Sequence, residues 1–301
     1  MTEYRAVFDA DVRFAGGGGL TAEGFRLDLP SADLPSDAIA RLFVRHLGLA
    51  MVGEVRLDRL QIVAEAHKGS RGVPVIPKSA SPLVDLSHPI REGLVTYPGL
   101  PAPTVTPHLT REASRDVYAP GTEFALDVIT MIGNTGTYLD SPYHRYADGG
   151  DLASLSLDQL VGLRAEVFRL TDLDRRGIPA EVLADRDLRG AAVLLHTGWD
   201  VHFGAPEYGQ GAPFLTGDAA DYLIEQGVAL VGIDSVNIDD STPEANGERP
   251  AHSRLLAAGI PIVEHLANLG QVPASGATFT AVPPRVERFG TFPVRAFALL
   301  P

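Results

Sequence analysis

Between Gly133 and His144 the chain reads Gly-Asn-Thr-Gly-Thr-Tyr-Leu-Asp-Ser-Pro-Tyr-His, which sets a carboxamide (Asn134), a phenol (Tyr138), a carboxylate (Asp140) and an imidazole (His144) within a few positions of one another. His144 could move a proton near neutral pH. Asn134 and Tyr138 could donate hydrogen bonds to a substrate oxygen, and Asp140 could orient an imidazole or bind a cation. Further along, His252 and Glu264 add a second imidazole and a second carboxylate. Without a metal, such a set suits proton shuffling on a polar carbonyl compound: cyclisation, dehydration or isomerisation. The plainer alternative for Asp140 and His144 is an Asx-type turn followed by a surface histidine.

Composition narrows the chemistry. The chain has 301 residues, is 45% hydrophobic and 21% charged, and contains no cysteine. That excludes disulfides, thiolate ligands and a cysteine nucleophile, so a metal would have to sit on His, Asp, Glu, Asn or Tyr. The net charge of −13 and pI near 5.1 argue against nucleic acid or an anionic membrane as partner. No apolar run approaches the ~20 residues that span a bilayer, and Met1–Val7 shows no charged-then-apolar leader. A cytoplasmic protein acting on a small molecule is the expectation.

The elements that would position these residues follow from periodicity. Tyr4–Phe14 and Gly24–Leu29 read as strands around a turn at Gly16–Gly19, Ser36–Leu47 as a helix capped by Ser36 and stopped by Gly48, and Val52–Ala66 as a further strand or two. Lys68–Ser81, rich in Gly, Pro, Ser and Lys, is expected to be a linker. This predicts a small N-terminal α+β region over 1–80 and a larger domain over 81–301. In the latter, buried strands are expected at Ala165–Leu170, Ala191–His196, Leu230–Ile233 and Ile260–Val263, with helices near Asp158–Val161, Ala180–Leu183, Thr216–Gln226 and His252–Ala258. Thr216 is the expected cap of the third, and Gly227 its end. The class is α/β, a mixed sheet packed with helices.

The Asn134–His144 segment resembles the signature of the cyclase family, which includes kynurenine formamidases and isatin hydrolases and reads H-x-G-T-H-x-D-x-P-x-H. Five other blocks are similar to that family in order: Val84–Ile90 with Tyr97–Gly99, Leu194–Trp199, Gly232–Ser235, His252–Glu264 and Phe292–Ala296. The resemblance implies a mixed-sheet fold, a homo-oligomer, and an enzyme acting on a cyclic or cyclisable amide, lactam or ester, by hydrolysis or ring closure. It also implies that Asp140, His252 and Glu264 are ligands of a divalent metal and that His144 is the acid/base. Asn134 and Tyr138 stand where the family has two further histidine ligands. A carboxamide oxygen is a weak zinc ligand and a phenol must first lose a proton of pKa near 10. One metal site is therefore expected to be lost, and N-formylkynurenine is expected to be a poor substrate.

Two chemistries stay open. In one, a single Zn²⁺ or Mn²⁺ on Asp140, His252 and Glu264 activates water. In the other no metal is bound, His144 and Glu264 act as acid and base, and Tyr138 and Asn134 steady an oxyanion. A degenerate member that binds without turnover is a third reading. His88 and Trp199 are placed at the substrate, against the alternatives of turn chemistry for His88 and packing for Trp199. His196 reads as a satisfied strand-end histidine, and Asp234, Asp239 and Asp240 as solvated loop carboxylates. His265, next to Glu264 on an expected strand, should point away from the site.

Overall fold

Alternation of apolar and polar side chains builds the N-terminal unit. A computed structural model describes residues 2–47, 49, 52–66 and 82–301, and the chain divides into two compact units, Met1–Ser79 and Ala80–Pro301. In the first, β1 (Thr2–Phe14) lies between β2 (Gly19–Leu29) and β3 (Val52–Ala66), all antiparallel. Ala6, Phe8, Ala10 and Val12 of β1 face inward and bury against Ile39 and Phe43 of α1 (Ser36–His46). The Phe8 and Phe43 rings meet edge to face at 5.3 Å. The expected Ser36 cap is replaced: Pro35 takes the cap position and no side chain caps the helix. The linker expected at Lys68–Ser81 and the stop expected at Gly48 fall outside the described residues.

The second unit is organised by a mixed sheet, nine-stranded among the described residues. Its strands are β4 (Leu83–Asp85), β7 (Tyr138–Asp140), β8 (Leu163–Arg169), β10 (Ala192–His196), β12 (Leu230–Ile233), β13 (Ile262–Glu264), β14 (Thr278–Thr280), β15 (Thr291–Pro293) and β16 (Phe297–Leu299). The order is β15-β7-β13-β12-β10-β8-β14-β16-β4. β8, β10, β12 and β13 run parallel, and the outer pairings are antiparallel. The parallel strands are buried on both faces, hence their near-continuous apolar runs. Ala192 and Leu194 enter one core, Val193 and Leu195 the other. Helices α3 (Gly217–Gln226) and α4 (Pro250–Ala257) cover the second core with Ala219, Leu223, Leu255 and Leu256.

Local chemistry departs from expectation at several ends. Gly227 does close α3, but the Thr216 hydroxyl donates to the Ile178 carbonyl at 2.9 Å instead of capping the helix. The expected helices near 158–161 and 180–183 are single 3₁₀ turns, Leu157–Gln159 and Ala180–Leu183. Smaller pieces complete the unit: an antiparallel ribbon of β5 (Thr104–Leu109) and β6 (Leu126–Thr130) joined through the short α2 (Arg111–Ser114), and a parallel pair β9 (Gly177–Ile178) and β11 (Phe214–Leu215). Val105, Leu126, Val128 and Ile129 of the ribbon are 42–49% exposed. No helix among the described residues is long and apolar enough to cross a membrane.

Two glycines let the strand β7 sit deep. A Cβ on Gly133 would lie 2.2 Å from the Thr291 carbonyl oxygen, and one on Gly290 would lie 2.5 Å from both N and Cα of His144. Backbone, not a flexible side chain, occupies each space, so neither position can take a larger residue without a shift. Gly290→Ala is expected to destabilise the unit by about 1–3 kcal/mol, read as a lowered urea midpoint; an unchanged midpoint would show that the chain there relaxes freely.

Candidate active site

Cross-strand neighbours of β7 form the site. Tyr138 is paired with Glu264 on one side, and Asp140 with Thr291 on the other. Between them Leu139 turns to the opposite face and joins the core with Val263. The Tyr138 hydroxyl donates to Glu264 Oε2 at 2.7 Å, and Glu264 Oε1 accepts from the Ile238 amide at 2.6 Å. The Thr291 hydroxyl donates to Asp140 Oδ1 and lies 2.7 Å from His144 Nδ1. A hydroxyl has one proton to give, so Nδ1 of His144 carries the hydrogen in this contact, and the lone pair of the neutral ring falls on Nε2. His144 itself rides on the 3₁₀ turn Pro142–His144 that follows β7, and its side chain is 36% exposed.

His252 enters from the first turn of α4. Asp239 accepts from the amides of Ala251 and His252, at 2.6 and 3.0 Å, and from His252 Nδ1 at 2.7 Å. That one carboxylate caps the helix and fixes the ring, in the way outer carboxylates orient metal-bound imidazoles. His252 Nε2 then faces Asp140 Oδ2 and Glu264 Oε1, both at 3.6 Å. Asp140 is fully buried, and its Oδ2 has no hydrogen-bond partner among the described residues. Ligand atoms of Asp140, His144 and His252 all lie within 4.8 Å of one another. These are oxygen and nitrogen donors of the kind zinc and manganese accept.

The charges respond to this crowding. Burial works against ionisation of Asp140, but His252, His144 and Thr291 outweigh it and hold the carboxyl below its ordinary range. Burial pushes Glu264 up to about 7, with the Asp140 charge adding to the effect and His252 and Tyr138 opposing it. Burial also disfavours a charged His252, yet Glu264, Asp140 and Asp239 prevail and raise it well above the ordinary histidine value. Tyr138 is driven far up by burial and then by Glu264 and Asp140.

Asn134, Tyr138, His144, His252 and Glu264 line one cavity of about 340 Å³. His88 and Trp199 are not in its wall. His88 stacks on Phe203 with ring centres 3.6 Å apart, and burial lowers its pKa to about 4. Trp199 packs with Tyr97, Phe203 and Tyr208, and its indole N–H donates to the Tyr208 carbonyl at 2.9 Å. His196 accepts from Arg169 at 3.0 Å, as a satisfied strand-end histidine would.

His265 does the opposite of what strand alternation predicts. β13 ends at Glu264, and a left-handed backbone at His265 (φ 56°) turns the ring back to the Tyr138 hydroxyl. Glu264, when ionised, can only accept. Tyr138 therefore donates to Glu264, His265 Nε2–H donates to the Tyr138 oxygen at 3.2 Å, and the Tyr208 hydroxyl donates to His265 Nδ1 at 2.8 Å. Burial holds His265 neutral, with a pKa of about 3. His265, Tyr208, Thr291 and Asp239 are the residues that sequence reading did not bring to the site; none lies in the Asn134–His144 signature.

Comparison with known proteins gives the family and the fold. The sequence model of the family described as "Putative cyclase" matches residues 84–240. The chain belongs to the cyclase family. A kynurenine formamidase of Geobacillus thermodenitrificans is 32% identical over 219 residues, 72% of this chain and 96% of that protein. A crystal structure of an isatin hydrolase bound to the product analogue thioisatinate superposes with a TM-score of 0.62 at 25% identity, covering 73% of this chain and 92% of its own. A structure described as a potential metal-dependent hydrolase with cyclase activity gives 0.58 at 27% identity, over 72% and 96%. This cyclase-family chain is accordingly an enzyme of the cyclase and amide-hydrolase kind. In this chain the Tyr138 hydroxyl is committed to Glu264.

The acidic patch read as solvated loop carboxylates is instead structural. Asp240 pairs with Arg176 at 2.6 Å, and Asp239 holds His252. Asp234 is fully buried and accepts from the Thr197 amide and hydroxyl and the Gly198 amide. Burial raises Asp234 to about 6, against those hydrogen bonds. A carboxyl with a raised folded-state pKa stabilises most below its unfolded pKa, and that contribution is lost as pH rises through 6. The stability of the parent relative to Asp234→Asn should therefore fall between pH 4 and 7, by up to about 3 kcal/mol. Parallel stability–pH curves for the two proteins would contradict this.

Proposed function

We propose that this cavity hydrolyses, or closes, a cyclic or cyclisable amide, lactam or ester carbonyl, and that Asp140, His252 and Glu264 hold one divalent ion, Zn²⁺ or Mn²⁺, for the purpose. The observation that carries this reading is Asp140 Oδ2: a buried carboxylate oxygen without a hydrogen-bond partner, opposite an imidazole nitrogen whose other side is fixed by Asp239. Asp140, Asp239 and Glu264 are each at most 2% exposed and cluster round His252. Buried carboxylates in excess of cations are costly, and a cation between them offsets that cost. An ion held there supplies a Lewis acid that polarises the carbonyl and lowers the pKa of water.

His144 does the proton work. Its Nδ1–H rests on Thr291, so Nε2 is free to take a proton from the attacking water and pass it to the leaving nitrogen or oxygen. Asn134 lines the cavity wall, where its side chain hydrogen-bonds Tyr138 and keeps a second N–H for a substrate oxygen. Tyr138 holds Glu264 in place, since its only proton lies on that carboxylate. In a metal-free cyclase the same phenol would have to leave Glu264 to steady an oxyanion. We leave His88 and Trp199 out of the substrate contacts, because each is engaged in aromatic packing elsewhere. The exposed apolar side chains of the β5–β6 ribbon support assembly into a homo-oligomer.

Metal content decides between the two chemistries. Protein purified without added metal or chelator should carry about one equivalent of zinc or manganese, lost in Asp140→Ala, and EDTA should abolish an activity that added metal restores. No metal in either protein, and none taken up on titration, would instead identify an acid/base enzyme built on His144 and Glu264. His144→Ala should lower kcat by about 10²- to 10⁴-fold while the metal stays bound; loss of both together would make His144 a ligand. Asp239→Asn, which loosens the His252 ring, should weaken metal affinity about 10- to 100-fold in a competition titration, and unchanged affinity would deny Asp239 its orienting role.

A further inference from the structure

The wall of the cavity carries charge for which the metal and the proton shuttle have no use. Arg145 follows His144 directly, and Arg249 lies three residues before His252; both line the cavity, together with Asn237 and Ser253. Each guanidinium is tethered through one part of its fork. Arg145 Nε donates to the Ser253 hydroxyl at 3.4 Å, and the group lies 5.4 Å from the centre of the Tyr146 ring. Arg249 Nη1 donates to the carbonyls of Asp240 and Glu248 at 3.0 and 2.8 Å. Those contacts leave Nη2 of Arg249 and both terminal nitrogens of Arg145 unengaged by any carboxylate. Neither arginine makes an ion pair among the described residues, although Glu248 lines the same cavity. Arg176 and Arg254 nearby are both paired, with Asp240 and Asp221.

Two cations left without counter-ions beside a carboxylate-rich centre have a physical use. Asp140, Glu264 and Glu248 would repel an anionic substrate; two guanidiniums on the wall reverse that locally and present planar donors that match a carboxylate. We propose that Arg145 and Arg249 form a carboxylate-binding subsite, so that the preferred substrate is an amide, lactam or ester bearing its own carboxylate near the reacting carbonyl. This rests on the reading of the cavity as the substrate site. Asn237 and Ser253 supply further polar contacts on the same wall, and the volume of about 340 Å³ suits a molecule of one or two rings. The subsite is tied to the chemistry by sequence adjacency: each arginine is anchored close to the histidine it accompanies.

Benzoate and benzamide are matched probes that differ in charge and need no turnover. Calorimetric titration should show benzoate binding the parent protein more tightly than benzamide. The double variant Arg145→Gln/Arg249→Gln should lose about tenfold or more in benzoate affinity with benzamide unchanged. Asp140→Ala should keep the preference for benzoate, which separates the arginines from a metal ion as the anion's partner. Added salt should narrow the preference. Benzoate binding that is undetectable in the parent, unchanged in the double variant, or lost in Asp140→Ala overturns the subsite, as does an equal loss of both probes in the double variant with an unaltered urea midpoint. Where turnover is measured, the double variant should raise KM for a carboxylate-bearing amide more than for its neutral analogue. A protein that prefers benzoate through these arginines yet hydrolyses no amide, lactam or ester would refute the proposed reaction and leave the subsite standing.

Discussion

Everything at the site depends on the register of a three-residue strand. β7 is hydrogen-bonded on both sides, to β13 and β15, and its alternation sends Leu139 into the core while Tyr138 and Asp140 take the opposite face, Tyr138 lining the cavity and Asp140 buried beside His252. A slip of one residue would bury a phenol and a carboxylate in an apolar core and turn Leu139 to the cavity, which burial energetics forbid. The closeness of backbone at Gly133 and Gly290 narrows the alternatives further. The position of Asp140 is thus set by packing at Leu139, and its chemistry is inherited from that packing.

Around this strand, polar groups are held by partners that leave one direction open. Asp239 spends its oxygens on a helix start and on His252 Nδ1, so that Nε2 is what faces Asp140 and Glu264. Thr291 is spent between Asp140 and His144. The result is a small region where hydrogen bonds run out and ligand atoms remain, Asp140 Oδ2 above all. Fixed dipoles of this sort cost no reorganisation when charge develops.

The sequence made the parallel strands legible because they are buried on both faces and read as apolar runs; β12 falls at Leu230–Ile233 as the pattern predicts. Helix ends were less legible, since competing partners decide them: Thr216 bonds Ile178, and Pro35 displaces Ser36. At the site, Asn134, Tyr138, His144, His252 and Glu264 carried their chemistry in their residue types, and they share one cavity. Thr291 and Asp239 did not, because a threonine at the start of a short strand and an aspartate in an acidic loop look ordinary until the fold brings them to an imidazole. His265 was misplaced by a sound rule applied one residue too far, past the end of β13, where φ turns positive. His88 and Trp199, expected at the substrate, lie outside the wall of this cavity: His88 stacks on Phe203, and Trp199 packs in the cluster of Tyr208 and Phe203.

The chain of donors from Tyr208 through His265 to Tyr138 and on to Glu264 has a bearing on how this sequence can change. Each member donates to the next, so the identity of one residue dictates the protonation pattern of its neighbour. Tyr138→His would confront the Nε2–H of His265 with a second ring and remove the phenol that now donates to Glu264 Oε2. Such contacts are strongly non-additive. Positions 138, 208 and 265 are therefore coupled, and the effect of changing one depends on which residues stand at the other two.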